Sequence, residues 1–208
     1  MGWTMEQLKV GLDSQCLSYI IDVLVGVEEP TDPLANERKA LVRAWFYRPV
    51  PWTFYVSETV VSECARIRDE DRQERHERFI DDLFENPPRY DSAAVVARAT
   101  KLMEIHPKLN DCCILAEAED LGLDTLLTYD ADFRRRLAPV SRVVVTTPSA
   151  YWDGLDISRG VRPQIMPDPT NPLSRQSWWR GWAHLHSPAP REASALAQAQ
   201  PAQAKAAD

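Results

Sequence analysis

Three times along this sequence a short β-prone run gives way to a segment with helical spacing, and each time an acid stands near the junction. Leu8-Lys9-Val10-Gly11-Leu12 ends at Asp13, and Leu17, Ile20, Ile21 and Leu24 then mark one apolar helix face. Thr53-Phe54-Tyr55-Val56 leads into Ser57, an N-cap residue type, with Glu63 within two turns of it. Thr125-Leu126-Leu127-Thr128 is followed by Asp130, and 142–146 forms a last strand broken by Pro148. Strands alternating with helices predict an α/β domain, a three-layer α/β/α sandwich around a central, mostly parallel sheet.

Between these runs, 34–47 reads as a helix stopping before Pro49, and 93–105 and 111–121 as two more, the latter closed by Gly122. The stretch 68–77 mixes charges of both signs at helical spacing and continues towards Phe79, Leu83 and Phe84; it reads as a solvated helical excursion. Composition shifts near Asp153, where prolines gather, and again at Ala193, where an Ala/Gln-rich end offers little to bury. The expected division is a folded domain over 1–152, a proline- and tryptophan-containing C-terminal extension over 153–192, and a disordered tail over 193–208.

In a parallel sheet, ligands bind beyond the carboxyl ends of the strands. Asp13 and Asp130 fall there. On the helix after the second strand, Glu63 lies three residues after Val60 and four before Ile67, bordering the buried stripe, whereas Glu58 sits in the first turn, where the helix dipole accounts for it. Asp111 opens the apolar face of Ile114, Leu115, Ala118 and Leu121, and Asn110 can take the capping role and leave Asp111 to a cleft. Four converging carboxylates repel one another unless a cation joins them, and hard oxygen donors suit Mg²⁺ or Mn²⁺. No histidine is read as a partner of these acids, which turns the site away from zinc.

The charge balance sharpens this. The chain carries 31 acidic and 24 basic residues, a net charge of −7, and residues 1–150 hold 26 of the acids and 18 of the bases. That argues against a general nucleic-acid coat, which needs a basic footprint, but not against an enzyme that meets phosphate through metal. With seven glycines and no GxGxxG or GxxxxGK[ST] string, phosphate-cradling loops are a poor fit. Cys16, Cys64, Cys112 and Cys113 form no CxxC pair and read as buried thiols in a reducing compartment. No signal peptide or membrane span is expected, so the expectation is a soluble, cytoplasmic protein.

The order of motifs resembles the PIN-domain nucleases over about residues 8–152. Asp13-Ser14 resembles the family's opening acid, Ser57-x-x-Val60-x-x-Glu63 the second, and Asn110-Asp111 before Ile114, Leu115, Ala116 and Ala118 the third. Thr128-Tyr129-Asp130-Ala131-Asp132-Phe133 resembles the stretch bearing the fourth, and Val143-Val144-Val145 into Thr147-Pro148 the last strand. The resemblance implies metal-dependent RNA cleavage, as in VapC-like toxins of bacterial toxin–antitoxin pairs. Asp13, Glu63, Asp111 and Asp130 then match the acids that bind Mg²⁺ or Mn²⁺ and carry catalysis, and Asp132 matches a position that assists in some members. Ser14 and Thr128 fall where ligands or waters are oriented. RNA is the implied substrate, a cognate antitoxin and a homodimer the implied partners, with no membrane. The chain departs from compact members in the length of 68–88, in the residues after Asp153, and in Ser14-Gln15 standing where threonine-serine is commoner.

Two further features are candidates for RNA contact. Arg134, Arg135 and Arg136 form the basic cluster nearest the proposed site. Trp178, Trp179, Arg180, Gly181 and Trp182 read as an aromatic clasp on the domain, with base stacking or protein docking as other uses; His184 and His186 read as solvent-facing. Competing with the nuclease are a non-catalytic PIN-like module that binds RNA or protein, and an α/β phosphohydrolase of another family. The latter lacks its paired aspartate string, because Ser14-Gln15 follows Asp13.

Overall fold

The computed structural model describes residues 8–24, 34–46, 53–84 and 91–155, all within the first of the chain's two units, Met1–Met166. The tryptophan segment 178–182, His184, His186 and the tail 193–208 lie outside the described residues.

The described chain runs β1 (Lys9–Leu12), α1 (Ser14–Leu24), α2 (Ala35–Phe46), β2 (Thr53–Val56), α3 (Glu58–Cys64), α4 (Glu70–Leu83), α5 (Ser92–Met103), α6 (Leu109–Asp120), β3 (Thr125–Leu127), α7 (Ala131–Leu137), β4 (Val144–Thr146) and α8 (Pro148–Gly154). The four strands form one sheet in the order β2-β1-β3-β4, and every pairing is parallel. Leu12 aligns with Val56 on one side and Leu127 on the other, so β1 and β3 end level at the middle of the sheet. Helices cover this sheet as the α/β/α sandwich expected from the sequence.

The reason lies in which residues are apolar on both faces. Val10, Leu12, Phe54, Val56, Leu126 and Leu127 are all buried, the pattern of parallel strands covered by helices on both sides. Trp45 of α2 stacks on Phe54 of β2 with ring centroids 4.8 Å apart, seating that helix on the sheet. Helix α6 buries Cys112, Ile114, Leu115, Ala116, Glu117 and Ala118, and so enters the core rather than resting one stripe on it. Gly122, at φ 60°, closes it in the left-handed conformation that glycine adopts at little cost.

Two local expectations change. Helix α4 is not merely a solvated excursion: its charged face hides an inner one carrying His76, Phe79 and Ile80, and Phe84 just beyond its end is buried too. His76 Nδ1 donates to the Arg72 carbonyl at 2.8 Å and its Nε2 bonds the Ser18 hydroxyl of α1 at 3.2 Å, while Arg72 pairs with Asp22 at 2.8 Å. The alternating charges conceal this stripe because only every third or fourth residue is needed to make it. Ser57 does occupy the N-cap of α3, but its hydroxyl makes no capping bond. None of the described helices is long and apolar enough to cross a membrane. The four cysteines are free thiols, three of them buried.

Gly11 sits in the middle of β1, between β2 and β3, and a Cβ there would meet Leu123 Cδ1 at 2.7 Å and Leu126 Cδ1 at 3.2 Å. Gly11→Val is therefore expected to lower folding stability by about 1–3 kcal/mol through overpacking. Denaturant unfolding checks it, and a parental midpoint would mean that Leu123 simply gives way.

Candidate metal-binding active site

The strand order reverses between β1 and β3, because the chain leaves β1 for β2 on one side and returns to β3 on the other. Such a reversal opens a crevice beyond the carboxyl ends of the strands. Asp13 stands at the end of β1, its N–H continuing the ladder to the Leu127 carbonyl at 3.0 Å. Asp130 lies three residues past the end of β3. Glu63 arrives on α3 and Asp111 on the first turn of α6. These four acids line one cavity of about 120 Å³, together with Ser14, Gln15, Ile114 and Phe133. A second recess of about 220 Å³, lined by Thr59, Ser62, Arg66 and Glu117 among others, shares Glu63 and Asn110 with this corner of the molecule.

Each carboxylate is held by identifiable donors. Asp13 Oδ1 accepts from the Cys16 N–H at 2.6 Å, and the Thr128 hydroxyl also bonds this carboxylate. Ser14 Oγ and Asn110 Nδ2 both donate to Glu63. Asp111 Oδ2 is 2.6 Å from His106 Nε2 and 3.6 Å from Lys108 Nζ. Asp130 caps α7, its Oδ1 accepting from the Asp132 and Phe133 N–H groups at 2.7 and 3.0 Å, while its Oδ2 pairs with Lys108 Nζ at 2.6 Å.

The electrostatics divide accordingly. Burial pushes the Asp13 carboxyl above its ordinary range, and the nearby Asp111 charge adds to that; the bonds from Thr128 and Cys16 only partly offset it. Burial also acts to raise Asp130, but the bond from Lys108 and the two capping N–H groups outweigh it and hold that carboxyl below its ordinary value. Lys108 is raised in turn, chiefly by its bond to Asp130.

All four acids offer hard oxygen atoms, the donor set that Mg²⁺ and Mn²⁺ favour. Asp13 is the telling member: it is 7% exposed, and among the described residues no cation pairs with it. A carboxylate in that position fits a bound cation. As the side chains stand, no three His, Cys, Asp or Glu residues among those described come together closely enough to ligate a metal. Ser14, Asn110, His106 and Lys108 engage the acids instead.

The remaining sequence candidates fall outside this cavity. Asp132 does not line it; its exposed carboxylate pairs with Arg135. Arg136 donates to the Ile105 carbonyl at 3.3 Å, and the Arg134 Nε is buried with no hydrogen-bond partner. Asn110 is not the cap of α6. Lys108 occupies that position without a side-chain capping bond, and Asn110 reaches across to Glu63.

His106 and Lys108 are the neighbours of these acids that the sequence reading missed. The signal was there for Lys108, three residues before Asp111 and hence on its helical face. His106, five residues before Asp111 and outside the helix, carried none.

Because Asp13 is a buried acid whose pKa is raised in the folded protein, its ionisation opposes folding, and stability is lost as pH rises from 3.8 through the raised value. Asp13→Asn is expected to raise the Tm of the metal-free protein at pH 7, because the amide carries no charge to bury. The gain should vanish below about pH 4, where the parental carboxyl is protonated. Calorimetry in chelator at both pH values checks it; a variant less stable than the parent at pH 7 would contradict it.

The family model of the PIN domain matches residues 23–137, more than half of the chain, and this span contains Glu63, Asp111, Asp130 and Asp132 but not Asp13. The comparison with curated proteins gives no match. Among solved structures, a chain of a toxin–antitoxin complex from Klebsiella pneumoniae is similar with a TM-score of 0.45 and 21% identity, covering 67% of this chain and 97% of that one.

Proposed function

Since the chain belongs to the PIN-domain family, whose members are in general nucleases, we propose that it is a metal-dependent endoribonuclease hydrolysing RNA phosphodiester bonds. The observation that carries this reading is the convergence of Asp13, Glu63, Asp111 and Asp130, from four different elements, on one cavity at the reversal between β1 and β3.

These four residues would hold Mg²⁺ or Mn²⁺. Such an ion, when bound, supplies charge to neutralise a scissile phosphate and acidity to activate a water. The chain's own part is to fix the acids. Thr128 and the Cys16 N–H orient Asp13, and Ser14 and Asn110 orient Glu63, which holds these carboxylates at the cavity that a cation would enter. The buried Ile114 and Phe133 line the cavity with apolar surface, which would strengthen electrostatic interactions made beside it. Arg134, Arg135 and Arg136 on α7, beside Asp130, would offer positive charge to the RNA backbone outside the cavity. As in the VapC-like toxins whose motif order the sequence resembles, a cognate antitoxin would hold the enzyme in check.

The test is cleavage of a panel of single-stranded RNAs with Mg²⁺ or Mn²⁺. Activity should disappear with chelator, and Asp13→Asn should lose more than about 100-fold, the upper end of what removing a mere supporting residue costs. Cleavage by Asp13→Asn at the parental rate, or cleavage indifferent to chelator, would falsify the assignment. RNA binding without any cleavage would favour a non-catalytic binding module instead.

A further inference from the structure

The four acids are not compensated alike. Asp13 and Glu63 receive bonds only from neutral donors: the Cys16 N–H and Thr128 for one, Ser14 and Asn110 for the other. Among the described residues neither has a cationic partner. Asp111 and Asp130, in contrast, share the Lys108 ammonium, at 3.6 and 2.6 Å.

The oxygen atoms still open to a ligand follow the same division. Asp130 Oδ1 already accepts two backbone N–H groups, which fill both its lone pairs, and Oδ2 holds Lys108. Asp111 offers only one side: His106 and Lys108 both sit on Oδ2, and Oδ1 has no partner among the described residues. The acids that keep accepting capacity for a cation are therefore Asp13, Glu63 and Asp111. A second dication beside Asp130 would have to expel an ammonium from hydrogen-bonding distance, since like charges repel strongly there.

Lys108 is well rooted for such a role. It is the N-cap residue of α6, with its carbonyl accepting the Cys112 N–H at 3.2 Å. Its side chain is 55% exposed, so the ammonium faces both the acids and the solvent from which a substrate arrives.

We propose that Lys108 supplies the second positive charge of this site, so that the chain takes a single divalent ion, held by Asp13, Glu63 and Asp111, while Asp130 serves to tether the lysine. This rests on the nuclease reading above, specifies its metal stoichiometry and narrows the ligand set given there from four acids to three. The ammonium would then meet a phosphate oxygen on the side where a second ion would otherwise bind.

The experiment is a calorimetric titration of the full chain with Mn²⁺, using the parent, Lys108→Arg and Lys108→Met, with circular dichroism to verify that each is folded. The parent and Lys108→Arg should each bind one Mn²⁺ per chain, and Lys108→Met two, because the vacated Asp111–Asp130 corner becomes a second site. A parent that binds two ions overturns the proposal while leaving the nuclease reading intact, and so does a Lys108→Met variant that still binds one. A parent that binds no Mn²⁺ overturns the metal-dependent reading itself, and this proposal with it.

Discussion

Mutual repulsion among carboxylates gathered at the open ends of a parallel sheet is the constraint around which this molecule is arranged. Four acids on one cavity of about 120 Å³ cannot all remain ionised without compensation. The fold supplies that compensation unevenly, by backbone amides and hydroxyls on the β1 side and by an ammonium and an imidazole on the α6 side. Asp13 bears the consequence. Buried and without a cation among the described residues, it destabilises the metal-free fold in the measure that it is ionised. A residue that weakens the fold in this way is expected where function requires it.

The topology explains why these particular residues meet. With the order β2-β1-β3-β4, the two central strands are β1 and β3, far apart in sequence and level at their carboxyl ends. Asp13 and Thr128 thereby become neighbours across that crevice. Helix α6 enters the same corner as a buried element, and its first turn carries Asn110 and Asp111 to opposite partners, Glu63 and His106. None of this needs a glycine-rich loop. The amide groups at the starts of α1 and α7 bind the protein's own aspartates, Asp13 through Cys16 and Asp130 through Asp132 and Phe133, instead of a phosphate.

Much of this was legible in the sequence because the strands are short, apolar on both faces and punctuated by acids. The positions of Asp13 and Asp130 follow from strand ends alone, and Glu63 from its place beside the stripe of Val60 and Ile67. What could not be read depends on where a side chain turns after its backbone is placed. Asn110 looked like a cap, yet the helix begins at Leu109, two residues earlier than such a cap implies, and the amide finds Glu63. His106 lies before the helix, across Pro107, so no helical period points it at Asp111. The inner face of α4 escaped because His76, a polar residue, occupies a position at the centre of its apolar stripe.

The acidic excess also takes on a different meaning. Many of the carboxylates in residues 1–150 answer donors within the fold rather than facing a partner. Asp69, Asp91 and Asp130 cap α4, α5 and α7; Asp124 accepts from the Lys9 N–H at 2.7 Å; Glu37 holds both the N–H and the hydroxyl of Ser149; and Glu119, nearly buried, pairs with Arg98 at 2.7 Å. Each joins segments distant in sequence or satisfies an amide that a helix start leaves open. A net charge of −7 is thus a poor guide to how the surface meets a polyanion. What matters at the crevice is local. Among the described residues Asp13 and Glu63 have no cationic partner and lie beside two acids that share one, and a divalent ion entering the site would be drawn to the half where the charge is uncompensated.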